Sequence, residues 1–208
     1  MKRACILILT CVLAAVNTAV AQDGEDSPKR NTYLNVGYVF QQLKGVDNNM
    51  LFNSDYGVSF SIGHTYYLHR KPIANLMKVG LDATFFDLNV ADYTDYNSRH
   101  YNDGEDSDRT MQIAAGMQIG PSLTFFPPVN ELKGHLYVRY APSFSGIVAN
   151  EDLYANYAGF WLSGLAVSYK MISAGMELRW GSANYKTGDE VKEKWQTRAT
   201  RYYVSFRF

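Results

Sequence analysis

The chain has 208 residues with 20 Lys plus Arg against 20 Asp plus Glu, so no excess positive charge draws it towards nucleic acid. Its 16 Tyr, 11 Phe and 16 Gly favour β-structure over a helix bundle, and the length allows one domain with a sizeable interior. Beyond Asn31 no apolar run approaches the roughly 18 residues that a membrane-spanning helix needs, which excludes a helical membrane protein.

The segment MKRACILILTCVLAAVNTAVAQ opens with Lys2 and Arg3, continues with an apolar run from Ala4 to Val16, and reaches the small-x-small triplet Ala19-Val20-Ala21. That is the layout of a secretory signal over residues 1–21, cleaved before Gln22. The apolar run is too short for an anchor. Lipidation at Cys11 would leave an even shorter one, and Thr10 is bulky for that site. Cys5 and Cys11 both fall within the signal, so the exported chain is expected to carry no thiol and no disulfide. Residues 22–31 read as a short flexible leader, followed by one patterned domain over residues 32–208.

That domain alternates with a period of two. Leu34, Val36, Tyr38 and Phe40 stand against Asn35, Gly37 and Gln41, and Tyr56, Val58, Phe60, Ile62, Tyr66 and Leu68 against Gly57, Ser59, Ser61, Gly63 and Thr65. Met77, Val79, Leu81, Ala83 and Phe85 oppose Lys78, Gly80, Asp82 and Thr84. Met111, Ile113, Ala115, Met117 and Ile119 oppose Gln112, Gly116, Gln118 and Gly120. The series continues with Leu136, Val138 and Tyr140 against Tyr137, Arg139 and Ala141, then Trp161, Leu165, Val167 and Tyr169 against Gly164, Ala166 and Ser168. Ala174, Met176, Leu178 and Trp180 then oppose Gly175, Glu177 and Arg179, and Tyr202, Val204, Phe206 and Phe208 oppose Arg201, Tyr203, Ser205 and Arg207. Eight strands are expected.

Connections alternate in length: 69–75, 127–134 and 170–172 are short, whereas 44–55, 91–109, 148–156 and 183–196 are long. In an up-and-down array every second connection lies at the same end, so four long loops share one end and both termini share the other. The two faces differ in a way that suggests which one meets lipid. One carries Gly, Ser, Ala and Gln with a few charges, which suits a crowded interior. The other carries more large Leu, Val, Ile, Met, Phe, Tyr and Trp side chains than an eight-strand lumen could pack. Closure also leaves no unpaired strand edge in hydrocarbon.

The fold class expected is therefore all-β: an eight-stranded antiparallel up-and-down transmembrane β-barrel with N and C termini at the periplasmic end. Its interior receives Lys78, Asp82, Arg139, Glu177, Arg179, Arg201 and Arg207, which persist there only if paired, with Glu177 holding buried cations. Such a set is expected to plug the lumen rather than line a porin-like channel. Tyr66, Tyr67, Phe125, Phe126, Tyr169 and Phe208 cluster near the short connections, where an aromatic girdle at the inner membrane interface belongs.

With the signal segment and the terminal strand TRYYVSFRF, the chain resembles the small eight-stranded outer-membrane β-barrels of diderm bacteria, of the OmpA-transmembrane and OmpX-like type, over essentially the whole exported chain. The resemblance implies that Tyr202, Val204, Phe206 and Phe208 form the signal read by the barrel-assembly machinery. It also implies residence in the bacterial outer membrane among its lipids and lipopolysaccharide.

Some barrels of this size are lipid A acylases or deacylases that use a His, a Ser and an acid near the outer rim, so the four histidines need placing. His69 and His135 fall at the periplasmic end, and His64 has lipid-facing parity. His100 has Ser98 and Asp103 nearby, but in a long loop that does not preorganise a nucleophile and its base. The acidic run Asp103, Glu105, Asp106 and Asp108 lacks an EF-hand register around Gly104. Lys186, Asp189, Glu190, Lys192, Glu193 and Lys194 read as a solvated loop. No catalytic residue, cofactor or metal site is expected, and the extracellular ligand is unknown. The reading is a structural or surface-interaction barrel, with a lipid-modifying enzyme or an accessory of transport or secretion as alternatives.

Overall fold

The computed structural model describes residues 30–45, 51–94, 109–128, 131–149, 152–187 and 191–208. The expected signal, most of the leader, His100 with Ser98 and Asp103, and the acidic run around Gly104 lie outside the described residues, as do the side chains expected for the 186–193 loop.

The described strands are β1 (Arg30–Gly45), β2 (Leu51–Asn53), β3 (Tyr56–Tyr67), β4 (Met77–Thr94), β5 (Arg109–Phe125), β6 (Leu132–Ala149), β7 (Asp152–Tyr169), β8 (Ile172–Thr187) and β9 (Val191–Arg207). They form one antiparallel sheet in chain order that closes on itself where β1 pairs with β9, from Tyr33 opposite Arg207 to Gly45 opposite Trp195. The barrel has eight staves, because β2 and β3 are one stave interrupted at Ser54 and Asp55. Asn53 pairs with Gln42 and Val58 with Tyr38, one residue out of step with each other. Ser54 holds the break by hydrogen bonding to Gln41 through both its backbone and its hydroxyl.

Strands begin and end slightly differently from the pattern reading. β1 starts at Arg30, two residues before the expected domain start, with Arg30 opposite Tyr66. At one rim the connections are 68–76, 126–131 and the two-residue turn 170–171; we call this the turn rim. At the other, the loop rim, 95–108 is long, but the expected loops 148–156 and 183–196 are largely paired. Tyr154 faces Ile147 and Lys192 faces Lys186, leaving only 150–151 and 188–190 between strands. Polar residues had marked these stretches as loops, yet the backbone continues as hairpin because strand pairing does not require an apolar face where both faces meet water.

An 18-residue strand such as β7 is about 60 Å long at roughly 3.3 Å per residue, well beyond the 9–11 residues that cross a bilayer. The outward side chains show where the surplus lies. Val36, Tyr38 and Phe40 on β1, Leu178 and Trp180 on β8, and Tyr202, Val204 and Phe206 on β9 are exposed. Towards the loop rim the same faces turn polar, at Gln42 and Lys44, Ser182 and Asn184, and Arg198, Gln196 and Lys194. The apolar belt thus lies towards the turn rim on these staves.

Candidate functional site

The interior is organised by a β-bulge in β4. Thr84 pairs with Gly63 and Gln118, whereas Asp87 pairs with Ser61 and Gly116, so one residue is inserted between them. Phe85 and Phe86 consequently both face outward, 50% and 44% exposed, and the inward phase passes from Asp82 and Thr84 to Asp87, Asn89 and Ala91. Extending the period from Met77 places Asp87 on the lipid side. The structure buries it in the lumen.

Two acids anchor two ionic groups. Asp82 Oδ2 accepts from Arg139 Nη2 at 2.5 Å and Nε at 3.2 Å, and lies 3.0 Å from His135 Nε2, whose Nδ1 is 3.0 Å from Thr124 Oγ1. Arg139 Nη1 donates to Gln118 Oε1 at 2.9 Å, and its guanidinium lies 3.7 Å from the Tyr137 ring centroid. Asp87 takes Arg179 Nη1 on Oδ2 at 3.1 Å and Arg201 Nη1 on Oδ1 at 3.0 Å. Glu177 stands 3.2 Å from the same Arg201 nitrogen and accepts from Tyr137 Oη at 2.9 Å. All of these side chains are buried. Removing one acid would leave guanidinium groups without charge compensation, which is the costly half of a buried ion pair.

Glycines make the space. A Cβ at Gly164 would come 2.8 Å from Tyr137 Cε2, and one at Gly175 would strike Tyr203 as well as the Leu165 carbonyl, 2.7 Å away. Tyr137 and Tyr203, whose hydroxyls are 3.1 Å apart, therefore lie across small residues of β7 and β8 and reach the lumen centre.

Towards the loop rim the filling becomes neutral. Gln41 Nε2 donates to Tyr93 Oη at 2.6 Å and to Gln112, Asn89 donates to Gln41 at 2.7 Å, and Gln112 donates to Ser145 at 2.9 Å. Beside these, Leu43, Ala91 and Tyr93 form one apolar cluster; Ala141, Ala158, Phe160, Leu162 and Ala183 form another at mid-barrel, where Leu162 pairs with Arg139 and Arg179 and the Phe160 ring centroid lies 4.1 Å from the Arg179 guanidinium, and Ile147 and Trp195 pack against both.

Of the expected interior charges, Asp82, Arg139, Glu177, Arg179 and Arg201 join these networks. Lys78 and Arg207 are buried at the turn rim but form no ion pair among the described residues: Lys78 lies over Tyr67 and Phe126, and Arg207 over Tyr33. Tyr67 therefore does not complete the outer girdle as expected, because its ring meets an interior lysine. Tyr66 and Tyr169 are exposed on the outer face. Asp87 and His135 were missed as lumen residues. His135 shares the parity of Tyr137 and Arg139, and Asp87 is signalled by alternation restarting out of phase in FFDLNV.

No protein-family profile matches the chain, and no curated protein does either. Among solved structures it is similar to Ail, the attachment invasion locus protein of Yersinia pestis, in complex with the heparin analogue sucrose octasulfate. That match has 9% identity, covers 87% of this chain and 100% of that one, and has a TM-score of 0.49. It is also similar to Neisserial surface protein A, at 13% identity, 85% and 97% coverage and a TM-score of 0.47. A third is the outer membrane protease OmpT from Escherichia coli, at 10% identity, 90% and 99% coverage and a TM-score of 0.47.

The terminal strand completes the wall. Tyr202, Val204 and Phe206 point outward and are exposed, and Phe208 exchanges backbone hydrogen bonds with Thr32 in both directions, at 2.7 and 3.0 Å. The alternating aromatic strand is thus the seam that closes the barrel against β1.

Proposed function

We propose that this chain is an integral outer-membrane barrel with a structural or surface-interaction role, plugged by its interior and acting without catalysis. The observation that carries this is the inversion of its two faces. Side chains such as Val36 (54% exposed) and Trp161 (51%) point outward from a closed wall, while Asp82, Asp87, Arg139, Arg179 and Arg201 fill the lumen. A soluble barrel would have the reverse arrangement, and hydrocarbon is the solvent in which this one costs least. Strands that outrun the membrane carry the 95–108 connection and the polar hairpins outward, where a partner could meet them.

In this reading the turn rim faces the periplasm and the last strand, with Phe208, is the assembly signal. Cysteines placed singly at Asn184 and at Lys71 should react oppositely with a membrane-impermeant maleimide on intact cells, Asn184→Cys labelled and Lys71→Cys protected. Labelling of Lys71→Cys alone would invert the orientation. Reconstituted protein should give no ion conductance, and sustained single-channel currents would remove the plug.

A further inference from the structure

Among the described residues the lumen charges do not balance, and the surplus cations lie at one rim. The buried cations Arg139, Arg179 and Arg201 are met by Asp82, Asp87 and Glu177. Arg207 (6% exposed) and Lys78 (8%) have no such partner among the described residues, and both lie at the turn rim. Nε and Nη2 of Arg207 find no hydrogen-bond partner among the described residues. Lys133 adds a third cation, sharing the Phe126 ring with Lys78 at 6.0 and 5.8 Å. Glu131, an acid of the same rim, is engaged by the exposed Lys170 at 3.4 Å.

Buried cations with unused donors are costly unless something accepts from them. Water can hydrate a rim, but an oxyanion both accepts the hydrogen bonds and cancels the charge. We propose that the turn-rim mouth of the barrel is an oxyanion-binding site formed by Arg207, Lys78 and Lys133. Two sources share that chemistry: a soluble phosphate or carboxylate compound, and the carboxylates of Asp23, Glu25 and Asp26, which precede Arg30 by only four to seven positions in the chain. The site does not depend on which compartment the rim faces.

The probe is inorganic phosphate, titrated calorimetrically into the full exported chain folded in zwitterionic detergent at constant ionic strength. The same titration is run on the full-length triple variant D23N/E25Q/D26N. Binding to the unaltered chain that weakens about tenfold in R207Q, as for the loss of about 1.4 kcal/mol, and about threefold in K133Q identifies a soluble anion as the source. Binding seen only in the triple variant, and lost again when R207Q or K133Q is added, identifies the chain's own carboxylates. Should R207Q not fold, K133Q decides by the same criterion, since Lys133 is only half-buried. Absence of binding in both backgrounds, or binding indifferent to these substitutions, overturns the proposal.

Discussion

Two regions of the same lumen are filled by opposite chemistries. Through its middle the barrel holds a charged lattice around Asp82 and Asp87, whereas near the loop rim it holds Leu43, Ala91 and Tyr93 against Phe52, Ile147 and Trp195. The side chains of both regions are buried, but they respond differently to a deletion. In the lattice each guanidinium must meet an acid, so a single deletion leaves unbalanced charge. In the apolar region a deletion leaves a void whose cost depends on how far the walls relax. A narrow barrel thus fixes its shape twice.

The largest effect that would break this contrast is at Asp87, which compensates two arginines. Asp87→Ala should cost about 3–5 kcal/mol in denaturant unfolding from micelles, because Arg179 loses its one ion pair among the described residues and Arg201 is left with Glu177 alone. Leu43→Ala in the apolar region should cost about 2–5 kcal/mol, with no dependence on salt. A loss that varies with salt would mean the two regions do not differ in kind.

The outer face sharpens the comparison next. Leu178→Arg should cost about 2–4 kcal/mol in a bilayer, since that face has neither acid nor water to receive it. Glu177→Ala should then cost less than Asp87→Ala, about 1.5–3 kcal/mol for a hydrogen bond involving charge. Arg201 retains Asp87 at 3.0 Å when Glu177 is gone. Equal losses at Glu177 and Asp87 would return the central role to Glu177. The smallest effect belongs outside, where a double-mutant cycle on the Lys170–Glu131 pair, 60% and 51% exposed, should give under about 1 kcal/mol.

The phase of β4 can be tested separately. Spin labels at Val79, Leu81 and Ala83 should be reached by lipid-dissolved oxygen, and those at Gly80, Asp82 and Thr84 protected. Phe85 and Phe86 should then both be reached, followed by Leu88 and Val90. Uninterrupted alternation would remove the bulge and Asp87 with it.

Much of this architecture is legible in the chain because a strand's period of two is a local property: neighbouring side chains must point to opposite faces. Eight staves, the large-outside and small-inside faces, and the inward placement of Asp82, Arg139, Glu177, Arg179 and Arg201 all follow from it. Where the backbone gains a residue, local reasoning carries the wrong phase forward. It did so at Phe85, hiding Asp87, and the one-residue register shift at Ser54 and Asp55 likewise separates β2 from the phase of β3. The extent of the hairpins was also misread, because polar strands in water carry the same composition as loops.

What the sequence alone determined is therefore the middle of the wall: the eight staves and which of their faces is apolar. Only the tertiary structure decided how the interior is wired. Asp87 meets Arg179 and Arg201 from 92 and 114 positions away, and His135 meets Asp82 from 53. No periodicity encodes such meetings. They arise when closure of β1 on β9 folds one face inward and brings side chains from distant staves into a lumen only wide enough for them to touch.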